Sequence, residues 1–201
     1  MNNFNYSNQI IIGSSNQGKV EEFKKFFINS SFNLMPLPMK LDIEENGSNF
    51  VENARIKSVQ ISKILPDYLI LSDDSGLCVD ALNGAPGIFS ARYAPNDEEK
   101  VSKLLKEMKS VVNREARFKC ALCLVFNEKI IAEVEGTCRG KIGIEPKGRG
   151  GFGYDPVFEV LDKGITFAEM SYDEKRLYGH RGKAFEHLLP ILKKIFDKKF
   201  N

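Results

Sequence analysis

Apolar and polar positions fall into blocks whose period changes along the chain. Gln9-Ile10-Ile11-Ile12 is a short apolar run ending at Gly13, the form of a buried strand. From Lys19 the spacing becomes helical, with Val20, Phe23 and Phe27 on one face. Asn49, with Glu52 three residues on, resembles a capping box with Asn in the usual Ser/Thr place. It predicts a helix running to about Leu65, where Pro66 stops it. Leu69-Ile70-Leu71 is a second buried strand that leads straight into two aspartates. Asn96 and Glu99 cap a further helix whose Val101, Leu104, Leu105 and Met108 recur at i, i+3, i+4 and i+7. Residues 117–126 and 129–138 read as an antiparallel hairpin. The last helix carries Phe185, Leu188, Leu189, Leu192, Ile195 and Phe196, and Pro190 is expected to kink or divide it. Helices interleaved with strands and joined by a hairpin predict an α/β fold with a mixed sheet.

Composition narrows the class. A chain of 201 residues suits a single domain spanning 1–201, large enough to bury a core without disulfides or a structural metal. Its 29 basic and 27 acidic residues leave a net charge of +2, so no global field draws it to nucleic acid or anionic lipid. Lys193, Lys194, Lys198 and Lys199 form a basic end that reads as a solvated helix face. Cys120 and Cys123 make a lone C-x-x-C inside a strand pattern, where a spacing of three points the thiols to opposite faces. Buried free thiols are expected there, not zinc or redox ligands. No run approaches the ~18 apolar residues of a membrane span, and no basic stretch followed by an apolar one opens the chain. With free cysteines, that points to a reducing cytoplasm and to no membrane or nucleic-acid partner.

Three segments carry candidate chemistry. Gly13-Ser14-Ser15-Asn16-Gln17-Gly18-Lys19 fits G-x-x-x-x-G-K between a strand and a helix. Backbone N–H groups at such a helix start can hold phosphate, and Lys19 adds positive charge. The next residue is Val20, so the hydroxyl that binds magnesium in a P-loop is missing; an anion-binding loop of another kind stands beside a plain N-cap by Asn16. Glu44-Glu45-Asn46-Gly47 and Asp73-Asp74 are acidic clusters. Magnesium takes one or two carboxylates plus phosphate oxygens, so one residue from each would suffice. The bland alternatives are a turn at Asp-Asp-Ser-Gly and a solvated Glu-Glu pair. Gly148-Arg149-Gly150-Gly151-Phe152-Gly153-Tyr154-Asp155-Pro156 joins glycines that permit close backbone approach to aromatics that can stack on a base, through Phe152 or Tyr154. Downstream, Lys175, His180 and Arg181 offer donors for a purine carbonyl or phosphate; His180 alone also fits a structural role. His187 has no supporting motif.

Together these segments, with Phe50–Ala54, Gly84–Gly87, Ser90–Tyr93 and His180-Arg181-Gly182, strongly resemble the Ham1-like inosine triphosphate pyrophosphatase family over about residues 10–196. The resemblance implies an elongated α/β protein with a long central mixed sheet flanked by helices, usually a homodimer. It further implies hydrolysis of ITP, dITP and XTP to the nucleoside monophosphate and pyrophosphate, with Mg2+. On the matching positions, Ser14, Ser15, Asn16, Gln17, Gly18 and Lys19 would hold phosphate, and Glu44 and Asp74 would bind metal, Glu45 lying one position away. Asp74 would also accept the proton of the attacking water. Ser75, Phe152, Gly153, Tyr154, Asp155, Lys175, His180 and Arg181 would contact substrate. The related septum-formation-type pyrophosphatases share the fold; the extended Gly-Gly-Phe-Gly-Tyr-Asp and His-Arg-Gly segments favour the first family. A non-catalytic nucleotide-binding regulator would not need Glu44 and Asp74.

Overall fold

A computed structural model describes residues 8–28 and 30–197; Lys198 and Lys199 of the basic end lie outside that range. In chain order the elements are β1 Gln9–Ile12, α1 Gln17–Phe27, β2 Asn33–Pro36, α2 Phe50–Ile64, β3 Leu69–Val79, α3 Asp97–Glu107, β4 Glu115–Phe126, β5 Lys129–Ile142, β6 Phe158–Val160, α4 Tyr172–Tyr178 and α5 His180–Asp197. The six strands form one sheet in the order β2-β1-β3-β4-β5-β6. β1 runs parallel to both β2 and β3, while β5 and β6 are antiparallel. β4 and β5 are joined through Asn127 and Glu128, whose φ values of 45° and 61° have the positive sign that a two-residue hairpin turn demands. The sheet is therefore mixed, as the interleaved pattern predicts.

Side-chain caps set the helix starts. Asn16, Asn49 and Asn96 accept from the backbone N–H of Lys19, Glu52 and Glu99. At α2 the box is only half formed, because Glu52 accepts from the N–H and hydroxyl of Ser48 instead of returning to Asn49. α4 was not anticipated, although Ser171 and Glu174 form a complete capping box at its start. Pro190 lies inside α5 without dividing it. β3 is the main departure: it continues as strand through Ser72, Asp73, Asp74, Ser75 and Gly76 to Val79, so the aspartates stand mid-strand and not in a turn.

The chain forms two compact units. One draws on the chain up to Asp74, on Ala121–Glu135 and on the chain from Ala184; the other on Ser75–Cys120 and Gly136–Lys183. The core of the first includes Ile11, Ile61 and Ile70, with Phe26 and Phe27 of α1 against Phe185. Within it, the Ser58 hydroxyl donates to the Cys123 carbonyl (2.7 Å) and accepts from the Ser72 amide (3.1 Å), which pins α2 to β3 and β4. The core of the second is built on Leu77, Leu104, Phe118, Tyr154, Phe158 and Phe167. All four cysteines are free, and Cys120 and Cys123 are buried as expected. Among the described residues no helix is long and apolar enough to cross a membrane.

Candidate active site

Pleating sends successive side chains of β3 to opposite faces, so Asp73 and Asp74 meet different helices. Asp73 is completely buried and pairs with Lys19 of α1 at 2.5 Å. Lys19 thus follows a loop whose Asn16 accepts its amide at 3.1 Å and whose Ser14 hydroxyl accepts the Asn16 amide at 3.3 Å. Ser15, Asn16 and Gln17 are exposed, and no acidic residue sits in the first turn of α1 to oppose an anion there. Asn16 caps the helix, and the exposed loop residues stand at a helix start beside Lys19.

Asp74 faces α2. Asn53 and Lys57 sit one turn apart on that helix and so share a face. Asn53 donates to Asp74 Oδ2 (3.1 Å), and the Lys57 ammonium lies 3.8 Å from Asp74 Oδ1 and 3.2 Å from Glu45 Oε2. Asn53 also accepts the Gly47 amide at 2.8 Å, which ties the Glu44–Gly47 segment to the same face. Glu44 is exposed, whereas Glu45 is half-buried and reaches Lys57. Burial pushes the Asp74 carboxyl above its usual range; Lys57 and Lys19 oppose this, and Asp73 and Glu45 reinforce it. Among the described residues no three acidic, His or Cys side chains group to hold an ion. Two carboxylates turned toward one ammonium is the smaller donor set that suits a cation whose other ligands are phosphate oxygens and water.

In the second unit the glycine–aromatic segment is held from several sides. Asp155 pairs with Lys175 at 2.7 Å and accepts the Phe152 amide at 3.1 Å. A Cβ at Gly151, where φ is +75°, would collide with that carboxylate, so glycine is required there by backbone and by space. Tyr154 is buried in the core, and its hydroxyl donates to the Ser90 carbonyl at 3.0 Å. Phe152 is half-buried and is the more exposed ring of the pair, with the Lys175 ammonium 5.7 Å from its centroid. The Arg181 guanidinium lies 5.1 Å from the Phe152 centroid and donates to the Ser75 hydroxyl at 2.9 Å. His180 is buried and stacked on Phe118, with centroids 4.7 Å apart and planes 11° from parallel. Gly153 donates its amide to Asp97 Oδ2 at 2.7 Å. His187 places Nδ1 2.8 Å from the Glu135 carbonyl, a backbone contact outside both sets.

Of the expected residues, Ser14, Asn16, Lys19, Glu45's neighbour Glu44 and Asp74 fall in the first unit, and Ser75, Phe152–Asp155, Lys175, His180 and Arg181 in the second. Asn53 and Lys57 were missed as site residues. Their spacing in Asn53-Ala54-Arg55-Ile56-Lys57 puts two polar groups on one helical face, a signal present in the sequence. Asp97 lies between Asn96 and Glu99, which mark the start of α3, and has no motif of its own in the sequence.

The model of the Ham1 family matches residues 10–191. The chain is 50% identical over 186 residues to a dITP/XTP pyrophosphatase of Prochlorococcus marinus, covering 92% of this chain and 94% of that one. It is 47% identical over 182 residues to a dITP/XTP pyrophosphatase of a Nostoc species, covering 90% and 92%. Among solved structures it resembles the Staphylococcus aureus Ham1 protein, with a TM-score of 0.82, 38% identity and coverage of 92% and 98%. A nucleoside-triphosphatase / dITP/XTP pyrophosphatase from Mycobacterium abscessus aligns with a TM-score of 0.72, 35% identity and coverage of 90% and 99%.

Proposed function

The chain belongs to the Ham1 family, and we propose that it hydrolyses non-canonical purine nucleoside triphosphates (ITP, dITP and XTP) to the monophosphate and pyrophosphate, with magnesium. The observation that carries this reading is the buried Asp74, held by Asn53 and turned with Glu45 toward the Lys57 ammonium. Asp74 and a carboxylate of the Glu44–Glu45 pair would hold the ion, and the reach of Glu45 to Lys57 supports Glu45 in that place. When bound, magnesium neutralises phosphate oxygens and acidifies water. Asp74 accepts the proton of the attacking water, a task for which its raised proton affinity suits it. The water oxygen bonds to the α-phosphorus, the bond from that phosphorus to the bridging oxygen breaks, and pyrophosphate leaves. The Ser14–Lys19 loop binds phosphate, and Lys19, held by Asp73, offsets the charge on the departing pyrophosphate.

Base recognition falls to the second set. Phe152 stacks on the purine, its peptide fixed by Asp155 and Lys175. His180 and Arg181 donate to the 6-oxo group. A 6-amino purine cannot accept and leaves a buried donor unpaired, a cost of about 1–3 kcal/mol, or roughly 5- to 150-fold in selectivity. We further propose a cytoplasmic homodimer; sedimentation equilibrium tests the assembly.

A panel of triphosphates with pyrophosphate detection tests the activity. If ITP, dITP and XTP are turned over no faster than ATP and GTP, the specificity is wrong. Asp74→Asn is expected to abolish turnover; near-normal rates would remove Asp74 from its role. Glu45→Gln should raise the magnesium requirement more than Glu44→Gln does, and the reverse order would reassign the ligand.

A further inference from the structure

Phe152 can serve as a base platform only if its backbone is fixed, because the segment around it is mostly glycine. Gly148, Gly151 and Gly153 all have positive φ, at 80°, 75° and 63°. Each lowers the cost of rearrangement, since glycine adopts either sign of φ readily. The space around a would-be Cβ at Gly153 is open, so glycine serves the backbone conformation there and not packing. The Phe152–Gly153 peptide therefore lies between a residue with an aromatic side chain and a glycine at φ 63°, where the backbone has little steric constraint of its own.

That peptide is gripped from helix α3. Asp97 Oδ2 accepts the Gly153 amide at 2.7 Å, across 56 positions of sequence. Asp97 is the first residue of α3, where the helix start favours negative charge, and its other oxygen lies 2.9 Å from the Lys100 ammonium. Burial works against its ionisation, but the Gly153 amide and Lys100 prevail and hold its carboxyl below the usual range. The acceptor is therefore a full carboxylate at neutral pH, the stronger kind of partner for an amide. Asp155 fixes the peptide on the other side of Phe152 by accepting that residue's own amide. The two carboxylates thus hold the amides before and after the Phe152 side chain. Asp155 belongs to the glycine segment itself; Asp97 comes from outside it, and its contact with the segment is the Gly153 backbone amide.

We infer that Asp97 is a positioning residue for base recognition, holding the Phe152–Gly153 peptide so that the Phe152 ring is set to stack on the purine. This rests on the proposed hydrolysis of purine triphosphates. It makes purine recognition depend on the first residue of α3, outside the glycine–aromatic and His-Arg-Gly motifs.

The test compares Asp97→Ala and Asp97→Asn with the unaltered protein. The asparagine keeps an oxygen acceptor in the same place. Asp97→Ala is expected to raise KM for ITP roughly 10- to 150-fold, as loss of a hydrogen bond to a charged group would, with kcat within about threefold. The inhibition constant of pyrophosphate, which engages only the phosphate residues, should not move. Asp97→Asn should restore most of KM. The inference is overturned if KM for ITP is unchanged in Asp97→Ala, if kcat and pyrophosphate inhibition fall with it, or if Asp97→Asn is no better than alanine. A second readout needs no turnover: the chain has no tryptophan, so Phe152→Trp supplies a single reporter at the platform. Adding Asp97→Ala or Asp97→Asn to it should raise acrylamide quenching at least twofold with alanine and little with asparagine; equal quenching overturns the inference even where activity is lost. If the unaltered protein hydrolyses no purine triphosphate while this quenching pattern holds, the activity reading fails and the positioning stands.

Discussion

Replacing Lys19 with methionine separates what the lysine does for the fold from what it does for phosphate. Methionine keeps an unbranched stem in α1 but removes the ammonium that lies 2.5 Å from Asp73 Oδ1. The Asp73 side chain is 0% exposed, so its carboxylate loses its cation in a place water does not reach. Removing one partner of a buried pair typically costs about 3–5 kcal/mol. Lys19 retains 14% of its side-chain exposure, so some of the pair's field is screened and the lower end, about 3 kcal/mol, is expected. Asp73→Asn removes the charge and leaves an amide, at about 1 kcal/mol. The double variant should then be about as stable as Asp73→Asn alone, regaining about 2 kcal/mol over Lys19→Met, a coupling of about 3 kcal/mol between the sites. Urea denaturation of the four proteins, with equal slopes confirming a common unfolded state, measures each difference. Activity should follow another rule: Lys19→Met lowers turnover, and adding Asp73→Asn does not restore it, because the pyrophosphate still lacks its cation. If Lys19→Met lies within 1 kcal/mol of the unaltered protein, or if Asp73→Asn fails to rescue its stability, the pair is not holding a buried charge. If the double variant regains activity, Lys19 has no part in phosphate chemistry.

Three further outcomes are expected. The Ser72 hydroxyl is fully buried with no hydrogen-bond partner among the described residues, so Ser72→Ala should stabilise the protein by about 0.5–2 kcal/mol in urea; a loss of stability would show that the hydroxyl is satisfied. Burial pushes the Cys123 thiol up to about 12 and Cys138 up to about 11, and also raises Cys78. Thiolate is the reactive form and exists above the pKa, so at pH 8 a disulfide reagent should label at most the half-exposed Cys78 quickly in the native protein and all four thiols after denaturation. Rapid native labelling of two or more would contradict this. The Arg114 guanidinium donates to the carbonyls of Met108, Ile142 and Gly143 at 2.8, 2.6 and 2.6 Å, so Arg114→Ala should cost about 3 kcal/mol, and Arg114→Lys, lacking the planar fork, should recover less than half in the same assay.

Much of this protein is legible in short windows of its sequence. Asn16, Asn49 and Asn96 mark their helices because a cap acts on an amide three residues away. The β4–β5 hairpin and the buried apolar run into Asp73-Asp74 follow from period and turn chemistry. The order of motifs carried the family, since each motif's context lies within its own neighbouring elements. Ser171 and Glu174, three residues apart, are an equally local signal for the start of α4.

Tertiary structure decided what each group faces. The pleat separates Asp73 from Asp74, but only the seating of α1 and α2 against the strand gives Lys19 to the first and Asn53 with Lys57 to the second. Of the adjacent Glu44 and Glu45 it is Glu45 that turns to Lys57, and of Phe152 and Tyr154 it is Tyr154 that the core takes in. Asp97, which in the sequence merely follows the Asn96 cap, meets Gly153 across 56 residues. Local hydrogen bonds and side-chain periods act over three or four positions. Partners drawn from distant segments are selected by close packing, which no window of sequence contains.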